Sequence, residues 1–366
     1  MRILHVIQCT NLGGMEHTAL TVARILGGRG YTWRFVSLNP VGKLGPILQA
    51  EGIPVRGLQY KGKAGWRGIL AMAKEFRKEK PDAVIMTGHN FAAFLALGLL
   101  CRKRRLLCLH FHHEGVKPRW MWRIIYWLVR KQFYALTFPS DFIRREAETI
   151  YPPISRIAHT LPNPFSIPEL PSPTERTAAR ARLGLPVDVR LIGNAGWLIE
   201  RKRFDVFLRV AARVVSQHPN AQFVIAGDGP LKSKLLETAE ELGISRNVRW
   251  LGWLSDLTDF YKAMDVILFN SDWDAQGRTP LEGLSYGVPV VASVINGGLA
   301  ETLKSPDFGF LTQSHDINWM SEKVLYLLTN QQSAEQMAMA GRNHLAVTCD
   351  PDEYCNSLLS LLIGAR

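Results

Sequence analysis

The strongest constraint on this chain is a rhythm that runs twice. Short apolar runs alternate with helix-patterned segments, a proline-dense stretch intervenes, and the alternation begins again. In the first half, Ile3–Ile7, Arg34–Leu38, Ala83–Met86, Leu106–His110 and Ala135–Phe138 read as strands. Helices are expected near Glu16–Leu26, Gly68–Glu79, Phe91–Leu99, Trp120–Lys131 and Phe142–Thr149. Strands alternating with helices predict a parallel sheet covered on both faces. The stretch Thr160–Thr177, TLPNPFSIPELPSPTERT, carries five prolines and little periodicity, and reads as a linker between domains.

In the second half the expected strands are Leu191–Asn194, Phe223–Ala226, Val248–Leu251, Val266–Phe269 and Pro289–Ala292. Helices follow near Arg203–Val215, Leu231–Leu242, Asp256–Met264, Thr279–Ser285, Ile317–Leu328 and Ala334–Leu345, with a terminal amphipathic segment at Asp352–Leu362. At 366 residues the chain is long for one core. The expectation is therefore α/β: two doubly wound parallel-sheet, Rossmann-like domains, 1–165 and 166–350, facing across a cleft. A terminal helix at about 351–364 is expected to pack back on the first domain. Such sheets bind ligands beyond the carboxyl ends of their strands, which points to the cleft.

Composition narrows the function classes. No apolar run reaches the roughly 18 residues that a spanning helix needs. The opening MRILHVIQCTNLGG reads as a buried first strand rather than a signal peptide. Five cysteines in no ligand spacing fit a reducing, cytoplasmic location. The net charge of +12 is unevenly spread: between Cys101 and Ala135, nine Lys or Arg stand against one acid, Glu114. A local basic patch predicts an anionic partner, whether membrane, nucleic acid or phosphorylated substrate. No nucleic-acid motif accompanies the charge, which argues against that class.

On a helical wheel of Lys117–Lys131, Arg119, Arg123 and Arg130 fall within about 40°. Trp120, Trp127 and Tyr126 flank them. Basic residues edged by indoles suit the headgroup layer of an anionic membrane. The plainer alternative is a helix with its apolar face on the core.

Several short motifs sit where a ligand would be met. Gly13-Gly14 follows the first strand and precedes a helix, as a phosphate approach or an ordinary tight turn would require. Lys202, in GWLIERKRFD, follows the strand Leu191–Asn194 and can hold a diphosphate as a point charge, or belong with Arg201 and Arg203 to a solvated charge run. AGDGP, with Gly227, is turn chemistry at a strand end. Asp274 and Glu282 lie eight apart in NSDWDAQGRTPLEGLSYGVPVVAS, which predicts Asp274 in a loop over Ser271–Gly277 and Glu282 in the first turns of the next helix. A carboxylate there can accept from ribose hydroxyls, or simply favour a helix N-terminus. His89, in TGHN, follows the strand Ala83–Met86. HFHHEG (His110–Gly115) groups three histidines with an acid, but without the helical i, i+4 pair of a zinc site, so His112 and His113 read better as a pocket wall beside an acceptor than as metal ligands.

Taken in order, these pieces resemble the retaining glycosyltransferases of family 4, which have the GT-B fold. The resemblance runs nearly end to end, through NLGGME, PDAVIMTGHN, PSDFIRREAE and TLPNPF, then GWLIERKRFD, FVIAGDGP, VRWLGWLSDLTDFYKAMDV, the NSDWDAQGRTPLEGLSYGVPVVAS stretch, NGGLAETL and GFL. The resemblance implies that Glu282 grips the nucleotide ribose and that Asp274 stands by the donor sugar. Lys202 would hold the diphosphate, while Gly277, Arg278, Gly227, Gly13 and Gly14 line the donor. His89, or Asn90 beside it, would approach the donor sugar from the first domain. It also implies transfer with retention, from a nucleotide-diphosphate sugar, without a cofactor or a required metal. UDP-sugar is favoured over GDP-sugar.

The basic-aromatic helix, with His112, His113, Arg119, Trp120 and Arg123, points to a saccharide or lipid-linked acceptor of lipopolysaccharide type, reached peripherally on the cytoplasmic face of a membrane. Two departures matter. Trp197 replaces an arginine of the family, leaving Arg201, Arg203 or Arg278 to supply the missing cation, and Asp274 is one methylene shorter than the family's glutamate. The rival readings are a sugar-nucleotide epimerase on the same fold and an inactive transferase-like subunit.

Overall fold

A computed structural model describes residues 1–8, 10, 14–58, 66–88, 91–100, 106–109 and 117–364. Gly13, His89, Asn90, His112 and His113, with the rest of the His110–Gly115 stretch, lie outside them.

The chain divides into two compact units. The first comprises Met1–Pro164 together with the terminal helix Pro351–Gly364, and the second comprises Phe165–Asp350. Seven strands build the first sheet: β1 (Arg2–Ile7), β2 (Thr32–Ser37), β3 (Val55–Gly57), β4 (Ala83–Thr87), β5 (Leu106–Leu109), β6 (Ala135–Phe138) and β7 (Ala158–Thr160). Their order is β3-β2-β1-β4-β5-β6-β7, and every pair is parallel. Six strands build the second: β8 (Leu191–Ala195), β9 (Gln222–Ala226), β10 (Val248–Gly252), β11 (Val266–Asp274), β12 (Val290–Gly297) and β13 (Phe310–Thr312). These run β10-β9-β8-β11-β12-β13, again all parallel. Both sheets are thus doubly wound, and each reverses strand order once, between β1 and β4 and between β8 and β11. Ligands of open α/β sheets bind outside the carboxyl ends at such a reversal.

Strand periodicity divides the second core into two layers. Phe223, Ile225, Val266 and Leu268 pack with the helix Phe204–Gln217 on one face. Val224, Ile267 and Phe269 pack with Phe260, Leu281 and Leu284 on the other. In the first unit, Tyr354, Cys355, Leu358 and Leu362 of the terminal helix enter the same core as Ala19, Leu26 and Phe35. Tyr134 donates to the Gly364 carbonyl at 2.9 Å.

Three strands escape the sequence reading: β3, β7 and β13. Each is an edge strand of three residues with one neighbour, so none requires a continuous apolar run. The short helix Leu44–Ala50 is also missed. The expected linker ends early. A helix, Pro173–Arg182, starts inside it from a capping box in which Ser172 and Glu175 satisfy one another's backbone amides. Among the described residues, no helix is long and apolar enough to cross a membrane.

One buried titratable group sits in the first sheet. His5 on β1 is fully enclosed, stacked on Phe35 at 5.0 Å and edge-on to Trp33, with Nε2 at 2.7 Å from Thr87 Oγ1. Burial pushes its pKa down to about 3. The fold therefore holds a neutral imidazole that the unfolded chain protonates near pH 6.5. Its contribution is complete above that pH and is lost progressively as pH falls toward 3. Urea unfolding at pH 6.5 and pH 5 should show the wild type losing about 2 kcal/mol more than His5→Phe over that interval. Equal losses would mean that the imidazole is not held neutral.

Candidate active site

The second unit gathers its chemistry at the reversal between β8 and β11. After β8 the chain runs through Gly196 to a 3-10 turn, Glu200–Lys202, which ends at Arg203. Arg203 is left-handed, with φ 45° and ψ 45°, a conformation that costs a non-glycine residue about 1–2 kcal/mol. Its guanidinium holds the bend by bonding both Asp205 (3.0 and 2.9 Å) and Asp272 on β11 (3.0 Å). Asp272 also meets His315 Nε2 at 2.9 Å. His315 Nδ1 meets Ser293 at 2.6 Å, and Ser293 accepts from Asn270 at 3.1 Å. The turn that carries Lys202 is in this way tied to β11, β12 and the segment after β13.

Strand β11 extends further than its sequence suggests. The expected loop over Ser271–Gly277 is strand as far as Asp274, so that acid stands on a strand end and not in a loop. The cause is the parallel ladder with β12, which continues to pair Trp273 with Asn296 and Asp274 with Gly297. Alternation then places Asn270, Asp272 and Asp274 on one side of the strand. Ser271–Asp274, expected as the start of a loop, are the paired end of an extended strand.

At that end Asp274 Oδ2 accepts from Lys202 Nζ, and Oδ1 accepts from the Gly277 amide at 3.1 Å. Both side chains are mostly buried. Burial raises the Asp274 carboxyl, but the Lys202 ammonium, with its hydrogen bond and the charge of Arg201, outweighs it and leaves the pKa below the ordinary value. Lys202 also lies over the Phe269 ring at 4.9 Å. Gly277 has φ 77° and caps the helix Arg278–Ser285. A left-handed cap at this close turn requires glycine.

Glu282 lies in the second turn of that helix. Tyr261 donates to its Oε2 at 2.6 Å, and Arg278 bonds Oε1 through Nε at 3.0 Å. Tyr261 is buried and stacks on Tyr286 at 5.6 Å; burial and the neighbouring carboxylate push its phenol well above the ordinary range. The hydroxyl therefore stays a donor that fixes the carboxylate. Of the three arginines suggested for the missing cation, Arg203 is committed to Asp205 and Asp272, and Arg278 to Glu282. Arg201 donates to the Trp273 carbonyl at 3.1 Å and has no carboxylate partner among the described residues. Trp197 is 59% exposed and sits edge-on to Trp253 at 5.6 Å. Gly227 crosses so close to the Gly196 carbonyl that a Cβ would stand 2.0 Å from it, so packing alone accounts for this glycine.

In the first unit Gly14 opens the helix Gly14–Gly28, the next described element after β1. The helix Arg119–Gln132 buries Trp122, Ile125, Tyr126 and Val129 and exposes Trp120, Ile124 and Trp127. Arg119, Arg123 and Lys131 are exposed beside them. Tyr126 thus belongs to the core and does not flank the arginines outside, because its wheel position falls at the boundary of the packed face.

Sequence reasoning brought Lys202, Asp274, Gly277, Arg278 and Glu282 to one sheet edge, where the structure also places them. It missed Tyr261, Asp272, Ser293 and His315, which no local spacing links to the site. Arg203 was read as one of a charge run, and its left-handed bend has no signature in sequence.

Residues 12–167 match the profile described as Glycosyltransferase Family 4, and residues 175–344 match Glycosyl transferases group 1. The chain is 34% identical over 164 residues to the D-inositol 3-phosphate glycosyltransferase of Mycobacterium tuberculosis (strain F11), covering 43% of this chain and 33% of that protein. It is 26% identical over 172 residues to the poly(ribitol-phosphate) alpha-N-acetylglucosaminyltransferase of Staphylococcus aureus (strain COL), covering 47% of this chain and 35% of that one. These matches span about a third of the length of the curated relatives. The crystal structure of Anabaena Alr3699/HepE in complex with UDP-glucose superposes with a TM-score of 0.84 over all of both chains, at 19% identity. The fold is GT-B, and the chain belongs to the family 4, group 1 glycosyltransferases.

Proposed function

We propose that the protein is a retaining glycosyltransferase that moves a sugar from a nucleotide-diphosphate donor to a saccharide acceptor. The observation that carries this reading is the constellation at the β8–β11 reversal: a mostly buried lysine, two carboxylates eight apart and a left-handed glycine opening a helix. Each group has a use in the reaction. Breaking a glycosyl–phosphate bond builds positive charge on the sugar and negative charge on the leaving diphosphate. Lys202 and the amides from Gly277 onward supply donors to that leaving group. Glu282, fixed by Tyr261 and Arg278, offers carboxylate oxygens to ribose hydroxyls. Asp274 stands beside the lysine, where a sugar attached to the diphosphate comes within reach. Arg201 is the cation best able to replace the family arginine that Trp197 displaces. No metal or cofactor is required in this reading, because cationic side chains and amides meet the developing charge.

UDP is the preferred leaving group, a choice supported by the UDP-glucose complex of the structural neighbour. The exposed face of the helix Arg119–Gln132, with Trp120 and Trp127 among Arg119, Arg123 and Lys131, supports a lipid-linked or lipopolysaccharide-type acceptor and peripheral contact with anionic membrane on the cytoplasmic side.

Incubation with a panel of UDP- and GDP-sugars should give slow nucleotide release from one donor, reduced roughly 10²–10³-fold in Lys202→Ala and Glu282→Ala. Absence of release from every donor, with no stabilisation by UDP or GDP, would sink the reading. Sedimentation with phosphatidylglycerol vesicles at low salt should capture the protein and lose it at high salt. Neutralising Arg119, Arg123 and Lys131 to Gln should weaken capture by roughly two orders of magnitude, at about 1 kcal/mol per basic residue near the surface. Failure of the wild type to bind at low salt would remove the membrane from the proposal.

A further inference from the structure

Lys202, assigned above to the donor diphosphate, already has an anion. We infer that Asp274 is a displaceable counter-anion whose carboxylate holds Lys202 and the Gly277 amide, so that a nucleoside diphosphate binds by taking both donors from it. The inference rests on the donor site proposed above and states what that site must release before it fills.

Three observations carry it. First, the two Asp274 oxygens are divided between Lys202 and the Gly277 amide, the same two donors that a phosphate in this position would use. Second, Asp274 is the only carboxylate paired with Lys202 among the described residues. A diphosphate arriving with Asp274 still in place would set two anions against one ammonium, which like-charge repulsion disfavours. Protonation does not relieve the conflict, since the carboxyl is already held below its ordinary pKa. Third, the Asp274 backbone is anchored. It pairs with Gly297 on β12, and its carbonyl accepts from the Gly298 amide at 3.1 Å. The carboxylate must therefore leave by side-chain rotation, with the strand held still.

A receiver is close by. Arg201 already exerts its charge on Asp274, and among the described residues its guanidinium hydrogen-bonds the carbonyl of Trp273, the residue before Asp274. The exchange is a transfer of the Asp274 carboxylate from Lys202 toward Arg201 as the diphosphate takes its place. The shorter side chain matters here, because it keeps the resting carboxylate within reach of the Gly277 amide on its own turn. The ion pair lowers the fraction of protein ready to bind, and the apparent affinity falls by that fraction.

The test is titration of the full chain with UDP, GDP and uridine, by calorimetry. Asp274→Asn keeps an acceptor for the Gly277 amide and removes the charge. It should bind UDP or GDP roughly tenfold more tightly than the wild type, with uridine unchanged and turnover reduced. Its unliganded melting temperature should drop, since Lys202 loses its partner, and the nucleotide should restore more of it than in the wild type. Arg201→Gln should weaken diphosphate binding more in the wild type than in the Asp274→Asn background, where only its direct attraction for the diphosphate is lost. Should Asp274→Asn fail to fold, Asp274→Ser is measured in its place. Diphosphate binding by Asp274→Asn that is equal to or weaker than the wild type, while Lys202→Ala abolishes binding, would overturn the exchange and leave the donor site standing. Absence of diphosphate binding in every form would overturn both.

Discussion

The parallel pairing of β11 with β12 beyond Phe269 is the constraint on which the second unit's site depends. An apolar strand could have ended where its hydrophobic run ends. The ladder instead carries polar residues onward to Asp274, and these find hydrogen-bond partners where they lie. Ser271 donates to the Trp273 carbonyl at 2.6 Å, Asn270 donates to Ser293, and Asp272 is shared by Arg203 and His315. The reward is placement. An acid at a paired strand end is held more firmly than one in a loop, and functional groups on rigid elements keep their geometry.

The same extension explains the shape of the turn after β8. Arg203 adopts a left-handed conformation that an arginine rarely takes, yet its side chain is what Asp205 and Asp272 bind. A glycine would relieve the backbone and lose both ion pairs. Local strain of this kind persists where surrounding contacts over-determine it, and here it stands next to Lys202. The basic run Arg201-Lys202-Arg203 therefore divides into three roles, with one residue toward a backbone carbonyl, one toward Asp274 and one holding the bend.

Fold class was legible because buried parallel strands need uninterrupted apolar runs and amphipathic helices need their 3.6-residue period. Both signals survive in β1, β4, β8 and the helix Phe204–Gln217. Edge strands β3, β7 and β13 lack such a signal, since an edge is half-exposed and short. Tyr126 was misplaced because a wheel gives an angle without saying where the core lies.

The sequence by itself determined the alternation of elements and the division into two α/β halves, since these are encoded in periodicities of a few residues, and it set Lys202, Asp274, Gly277 and Glu282 near the ends of strands and the start of a helix. Only the tertiary structure decided which groups meet: Lys202 with Asp274 across 72 positions, Tyr261 with Glu282 across 21, and His315 with Asp272 across 43. Local patterning specifies conformation, whereas pairing across a parallel sheet depends on strand order and register, which arise from the packing of the whole unit.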